Sequence, residues 1–230
     1  MHLTRIRNAF VATAFVALAS LPALAAAPGL KPFNADYVAN YMGMEGAANM
    51  QLVQTGAQWK YTLKIQSSLA TLSQVTTFEE NGGQWRPLSG SDNASVLIKR
   101  TNKQAQYDWA KGVATWSGDV KPDRAGPVEL KPGDLDAMLV NLAIARDVAA
   151  GKPLRYRMVD DGRAKDMVYT VAGKETITVG GKSQQATKVQ RTDGNKQTLI
   201  WVVDGLQAPA RILQRKDGND EVDLQLKSMK

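Results

Sequence analysis

The sequence predicts a mostly β protein: a curved antiparallel sheet, a half-barrel or open barrel, with one amphipathic helix packed on its concave face. Three observations predict this fold class. Apolar and polar residues alternate in several short segments, glycine-rich turn signals separate those segments, and one later segment has helical periodicity. Hydrophobic residues at 43% and charged residues at 22% are typical of a chain that buries a core.

Alternation with a period of two predicts strands at Phe33–Tyr41, Trp59–Ile65 and Gln104–Trp109. Glycine, asparagine and aspartate between such segments favour the positive φ angles of tight hairpins. These turn signals are Asn81-Gly82-Gly83, Asp161-Gly162, Gly180-Gly181, Asp193-Gly194-Asn195 and Asp217-Gly218-Asn219. Their spacing indicates an antiparallel meander.

One helix is expected from Asp134 to about Ala150. Pro132-Gly133 breaks the preceding segment, Asp134 is the predicted N-cap, and Gly151 ends the helix. The apolar stripe comprises Leu135, Met138, Leu139, Leu142 and Ala149. Because the helix lies between two blocks of strands, we expect its stripe to face the concave side of the sheet.

Residues 1–25 have the composition of a secretory signal peptide. Arg5 and Arg7 precede an apolar run, and Ala23-Leu24-Ala25 offers the small residues that a signal peptidase requires. Cleavage before Ala26 would leave residues 26–230 as a single β-rich domain in the periplasm. After this segment, the sequence has no apolar run near the roughly 20 residues of a membrane-spanning helix. The expected protein is therefore periplasmic and does not span the membrane.

The sequence excludes several kinds of chemistry. The single histidine, His2, lies in the predicted signal, and the chain has no cysteine. The exported protein would lack the residues most often used as general base, metal ligand or thiol nucleophile, so we expect no cofactor, no metal site and no catalytic residues. The net charge of +7 comes from dispersed lysines and arginines, whereas a nucleic-acid interface would cluster them. We therefore expect no nucleic-acid partner.

Aromatic residues supply the main binding hypothesis. Three predicted strands each carry two aromatic side chains separated by an even spacing, which places both on one face. Together with two helix residues, the candidate ligand-lining set is Tyr37, Tyr41, Trp59, Tyr61, Tyr107, Trp109, Met138 and Leu142. Such side chains line apolar pockets and orient ligands through their polar tips, but they also fill ordinary cores. Both interpretations remain open at this stage.

Glu175 is the candidate for a structural ion pair. If its side chain turns inward from the start of a strand, an arginine on a neighbouring strand would offset the cost of desolvation. Arg191 and Arg211 are the expected partners.

Fragments along the chain resemble the bacterial domain-of-unknown-function 3108 family. They are Phe33-Asn-Ala-Asp-Tyr37 with Gly43 and Gly46, Trp85-Arg-Pro87, Tyr107-Asp108, Asp134-Leu135, Asp160-Asp161-Gly162, Tyr169 to Ile177, Trp201 with Asp204, and Pro209-Ala-Arg211-Ile. The resemblance implies a strongly curved antiparallel sheet with a helix against it, similar to the lipoprotein-carrier half-barrels, and it supplies no catalytic residue. One departure is Asp136, where many members carry serine.

Two classes of function follow. The first is a non-enzymatic periplasmic binding or accessory protein that holds a lipid or other apolar ligand in the half-barrel. The second is a structural module that docks on an envelope complex for secretion or cell-wall assembly, through strand edges and surface aromatics. An enzyme is the least favoured class, because fold alone does not establish an activity.

Overall fold

The computed structural model describes residues 29–41 and 43–230, and the predicted signal peptide lies outside them. In this part of the chain, thirteen strands form one antiparallel sheet that does not close. Its first half contains β1 (Phe33–Tyr41), β2 (Met44–Thr55), β3 (Gln58–Ser67), β4 (Ala70–Asn81), β5 (Gln84–Val96), β6 (Lys99–Asp108), β7 (Val113–Gly118) and β8 (Val128–Glu129). A short hairpin, β9 (Arg155–Asp160) and β10 (Arg163–Val168), forms a separate two-stranded sheet. The remaining strands are β11 (Thr170–Val179), β12 (Lys182–Asp193), β13 (Lys196–Val203), β14 (Arg211–Lys216) and β15 (Asn219–Met229).

The sheet runs in the order β11-β12-β13-β14-β15-β1-β2-β3-β4-β5-β6-β7-β8, so β15 pairs with β1 and joins the two halves. In β1, Phe33, Ala35, Tyr37 and Ala39 are buried and alternate with exposed residues. Their register places these four side chains opposite equivalent inner positions of β2. The period-two pattern therefore defines an inner face, and the mostly β, curved open-sheet fold is confirmed.

The tight turns follow the predicted chemistry. Gly82-Gly83, Gly180-Gly181 and Asp217-Gly218 take positive φ at both positions. A side chain pays a steric cost in this region that glycine avoids, and aspartate tolerates it better than most residues. These pairs therefore fix the hairpins that hold neighbouring strands in register.

The only α-helix among the described residues, α1, spans Ala137–Ala149. The prediction of Asp134 as its N-cap was wrong, since Oδ1 of Asp136 accepts the Leu139 N–H at 2.8 Å and caps the helix. Asp134 instead accepts the Lys131 N–H at 2.7 Å and pairs with Arg157. The helix begins later than predicted because Asp134 and Asp136 flank Leu135 at the start of the apolar stripe, and either carboxylate is suited to cap a helix.

The helix is covered on two sides. Leu139 is fully buried in the core shared with the sheet, as the apolar stripe predicts. Val140, Ala143 and Ile144 are buried as well, and α1 contacts β9 in addition to the sheet strands β4 and β13. Leu135 lies before the helix and bridges to Met158 of β9. The helix thus connects the large sheet to the small hairpin.

Within the described residues, no helix is long and apolar enough to cross a membrane.

Candidate functional site

An open cleft lies between the first turn of α1 and the inner face of the sheet. We call it the apolar cleft; its volume is about 390 Å³. Its apolar walls come from Met50, Leu63, Ile65, Leu72, Ala137, Met138, Ile212, Val222 and Leu224. Pockets of roughly 300–1,000 Å³ with mainly apolar linings are typical of small-molecule sites. The cleft is therefore large enough for part of an apolar ligand.

Polar groups line the cleft at separate points. Gln74, Asn141 and Gln214 supply amides, and Glu221 supplies the one carboxylate among the described lining residues. No lysine or arginine is found among those lining residues. An uncharged polar group would find hydrogen-bond partners here, but a ligand carboxylate would lack a cationic partner in the cleft.

Tyr61 lies beside the cleft on β3. Its hydroxyl donates to the sulfur of Met50 at 3.3 Å, and burial raises its pKa well above the ordinary value near 10. The phenol is therefore neutral at physiological pH. Tyr61 therefore contributes an uncharged side chain to the lining of the cleft.

The apolar cleft continues toward one end of the sheet. A smaller cavity of about 30 Å³ shares Tyr41, Ile65 and Leu72 with the cleft and extends to Ala94 and Val96. Val96 ends β5, so the apolar lining reaches the hairpin that joins β5 to β6.

A second, polar cavity borders the other flank of the first helical turn. Its volume is about 210 Å³, and Ala137 and Met138 line both it and the apolar cleft. Asp136 and Asp160 also line this polar cavity. Burial, with repulsion from Asp160, raises the pKa of Asp136 to about 7, and burial raises the pKa of Asp160 to about 6. Both carboxyls therefore change protonation near neutral pH.

Asp136 couples this cavity to the helix. One carboxylate oxygen caps α1, and the other accepts the Thr76 hydroxyl of β4 at 2.5 Å. A serine at this position would keep a capping oxygen but remove the titrating group. The aspartate therefore adds a pH-dependent charge to the start of the helix.

The other end of α1 is anchored by a charged group. Asp147, buried in the core, accepts two hydrogen bonds from Arg146 at 2.7 and 2.9 Å and one from the Tyr156 hydroxyl at 3.1 Å. The Arg146 guanidinium also lies 4.2 Å from the centre of the Trp85 ring. These contacts tie the helix to β5 and to β9.

Residues 34–225 match the family described as "Protein of unknown function (DUF3108)". The chain belongs to the DUF3108 family. The resemblance derived from the sequence fragments is therefore confirmed over most of the described residues of this DUF3108 protein.

No curated protein matches the chain. Among solved structures, the DUF3108 protein is similar to the crystal structure of MucB, with 10% sequence identity and a TM-score of 0.34. The match covers 90% of this chain and 55% of the MucB chain, so the present chain spans about half the length of that structure.

The predicted ligand-lining residues of the DUF3108 protein divide among three locations. Tyr41, Tyr61 and Met138 line the apolar cleft, and Tyr107 lines the polar cavity. The others pack or bond away from the apolar cleft: they are Tyr37, whose hydroxyl donates to the Pro209 carbonyl, Trp59 and Leu142 in the core, and Trp109. Trp109 lies just beyond the end of β6, where its indole N–H donates to the Pro87 carbonyl at 2.7 Å.

Glu175 has different partners from those predicted. It accepts from Lys188 at 2.8 Å and from the Trp201 indole at 2.7 Å, while Arg211 pairs with Asp223. Arg191 pairs with Asp193. The register explains the difference, because Lys188 of β12 pairs with Trp201 of β13 on one side and on the other with Gly173 of β11, two residues before Glu175. The side chain of Glu175 is 44% exposed, so it is not the buried charge that the prediction required.

Several aliphatic residues of the cleft were not predicted from the sequence, because the binding hypothesis rested on aromatic side chains. Leu63 and Ile65 continue the same alternation that identified Trp59 and Tyr61, so the pattern itself contained the signal. Asp136 had no such signal, because its partner Thr76 is 60 residues away in sequence.

Among the described residues, no group of three histidine, cysteine, aspartate or glutamate side chains is arranged to hold a metal ion.

Proposed function

We propose that this protein is a non-enzymatic carrier or accessory protein that holds the acyl chain of a lipid in the apolar cleft. The observation that carries this proposal is the open apolar volume between α1 and the inner face of the sheet, at a place where a packed core would be filled. Met50 and Met138 border this volume, and methionine adapts its shape to flexible chains.

The lining indicates which lipids fit best. With Glu221 and no cation among the described lining residues, the cleft favours a chain linked through an ester or amide over a free fatty acid. The amides of Gln74, Asn141 and Gln214 suit the carbonyl or hydroxyl groups of such a lipid. Diacylglycerol lipids and lipid-modified amino termini have this chemistry.

We place the protein in the periplasm, on the basis of the signal-like residues 1–25. Amino-terminal sequencing of the protein recovered from the periplasm is expected to give Ala26 or a neighbouring residue as the first position. Recovery in the inner membrane with Met1 retained would contradict this location.

Binding of the uncharged fluorophore N-phenyl-1-naphthylamine tests the cleft. Leu72 lines the cleft and is half-buried, so Leu72→Trp should fill the open volume at little cost to folding. We expect the parent to bind the probe and Leu72→Trp to bind it at least about tenfold more weakly, a difference of about 1.4 kcal/mol.

Leu206→Trp is the matched control. Leu206 is also half-buried and packs against the core, but it does not line the cleft. Its affinity for the probe should equal that of the parent. Equal probe binding by all three proteins, or no binding by the parent, would contradict the proposal.

The edge strand β11 favours a second candidate, a docking module for an envelope complex. β11 ends the sheet and pairs only with β12 in the described chain, and Val171 on it is 62% exposed. A partner strand can extend such an edge through backbone hydrogen bonds. Native mass spectrometry of the periplasmic protein distinguishes the two, since a carrier retains lipid that Leu72→Trp loses, whereas a docking module carries none.

A further inference from the structure

Four exposed apolar residues project from one end of the sheet. Leu69 lies in the turn between β3 and β4, and Val96, Leu97 and Ile98 form the end of the β5–β6 hairpin. Leu97 is 70% exposed and Ile98 is 100% exposed. We call these four residues the apolar tip. Exposed apolar clusters on soluble proteins mark interaction surfaces.

The turn that carries the tip departs from the chemistry of the other hairpins. Val96 pairs with Lys99, so Leu97 and Ile98 form a two-residue loop, with Leu97 at a φ of 54°. Elsewhere in the described chain, this left-handed conformation is taken by glycine and by Asp161 and Asp217. A leucine there costs folding energy and gains no burial in return. Such a local conflict is expected where function requires the side chain.

The two turns of the tip are held side by side. The Leu97 N–H donates to the Leu69 carbonyl at 2.9 Å, and Val96 pairs with Ala70 of β4. Ser67 closes the neighbouring turn by bonding to Ala70. The apolar side chains are therefore presented together on a fixed backbone.

Two cations follow the tip directly. Lys99 and Arg100 are both exposed, and the ion pairs among the described residues involve neither of them. Apolar side chains that enter an acyl region, with cations placed behind them, complement an anionic lipid surface.

We propose that the apolar tip docks this protein on the surface of an anionic lipid bilayer, with Leu97 and Ile98 inserted and Lys99 and Arg100 on the phosphates. The apolar lining runs from the cleft past Leu72 and ends at Val96. Docking through the tip would therefore place this end of the lining next to the bilayer. Neither Leu97 nor Ile98 lines the apolar cleft, and the docking surface goes beyond the proposed binding of an acyl chain.

Co-sedimentation with vesicles of phosphatidylethanolamine and phosphatidylglycerol tests the proposal. The double variant Leu97→Gly, Ile98→Ser removes the apolar groups while giving the turn the glycine that its φ favours, so the fold is preserved. We expect its partition into these vesicles to fall at least about tenfold, because two apolar side chains no longer enter the acyl region. Lys99→Gln with Arg100→Gln should weaken binding by roughly tenfold and reduce its dependence on salt.

Val171→Ser is the matched control, because Val171 is 62% exposed but lies on β11, away from the tip. It should bind vesicles as the parent does. The proposal is overturned if the parent does not bind anionic vesicles or if the tip variant binds them as well as the parent. It is also overturned if analytical ultracentrifugation shows that two copies of the chain associate through the tip. Probe binding in solution by the tip variant should be unchanged, which separates failure of docking from failure of the cleft.

Discussion

The two halves of α1 have different surroundings. In the carboxy-terminal half, Ile144 and Ala145 are at most 1% exposed, and the buried Asp147 is held by hydrogen bonds. In the amino-terminal half, Ala137 and Met138 border the apolar cleft on one flank and the polar cavity on the other. One helix therefore combines an anchored end with an end next to open volume.

This difference explains how the fold tolerates a cavity. A helix held only by its first turn would lose packing if that turn bordered empty space. Here the packing of the second half, with the contact of Arg146 with Trp85 of β5, secures the helix to the sheet. The first half is then free to serve as a wall of a binding site.

Truncation of one side chain in each half gives the largest expected contrast. Ile144→Ala should lower the free energy of unfolding by about 2–5 kcal/mol, because it opens a cavity in a packed core. Met138→Ala should cost about 1–2 kcal/mol, because a side chain that already borders open volume gives up fewer contacts. Denaturant titration measures both. Equal costs would remove the distinction between the halves.

Removal of the Asp147 carboxylate tests the anchor. Asp147→Ala leaves the Arg146 charge and the Tyr156 hydroxyl without their acceptor, so the free energy of unfolding should fall by about 2–3 kcal/mol. Asp166→Ala, at an exposed position of β10, is the control and should change stability by less than about 0.5 kcal/mol. A small effect at Asp147 would mean that packing alone anchors the helix.

The pH dependence of stability tests the amino-terminal end of α1, where Asp136 caps the helix. The pKa of Asp136 is raised to about 7, so the folded state holds its proton more tightly than the unfolded state. Stability should therefore fall as pH rises from about 4 to about 7. Asp136→Asn keeps a capping oxygen and removes this loss, so its stability relative to the parent should increase by about 2 kcal/mol between pH 5 and pH 8.

Asp160→Asn should show the same sign with a smaller size, because the pKa of Asp160 is raised only to about 6. Thermal unfolding across this pH range measures both variants. A parent whose stability rises between pH 5 and pH 8, with the rise lost in Asp136→Asn, would mean that the folded state favours the charged carboxylate.

The sequence was sufficient for the sheet and for most of the helix. Alternation at Phe33–Tyr41 and glycine pairs such as Gly180-Gly181 are local signals, and local geometry decides both strands and turns. The cap at Asp136 was missed by two residues, because Asp134 offered the same short carboxylate slightly earlier. The Asp136 carboxylate that caps the helix also accepts a hydrogen bond from Thr76. Because Thr76 lies on a distant strand, no local signal in the sequence indicates this contact.

The candidate site was only partly predictable. Tyr41, Tyr61 and Met138 line the cleft, but Trp59 and Leu142 fill the core. Strand alternation or helical periodicity assigns each of the five to an inward face and does not separate these two groups. Periodicity gives the face on which a side chain lies, whereas a cavity depends on how far the helix stands from the sheet. That separation is set by long-range packing.

Nuclear magnetic resonance of methyl-labelled methionine tests the central claim most directly, that the open flank of α1 is the binding site. Met50 and Met138 line the apolar cleft, whereas Met158 and Met167 belong to the β9–β10 hairpin outside it. Saturation with N-phenyl-1-naphthylamine should shift the methyl signals of Met50 and Met138 through the ring current of the bound probe and leave those of Met158 and Met167 in place. Shifts confined to Met158 and Met167, or no shift at saturating probe, would contradict the account.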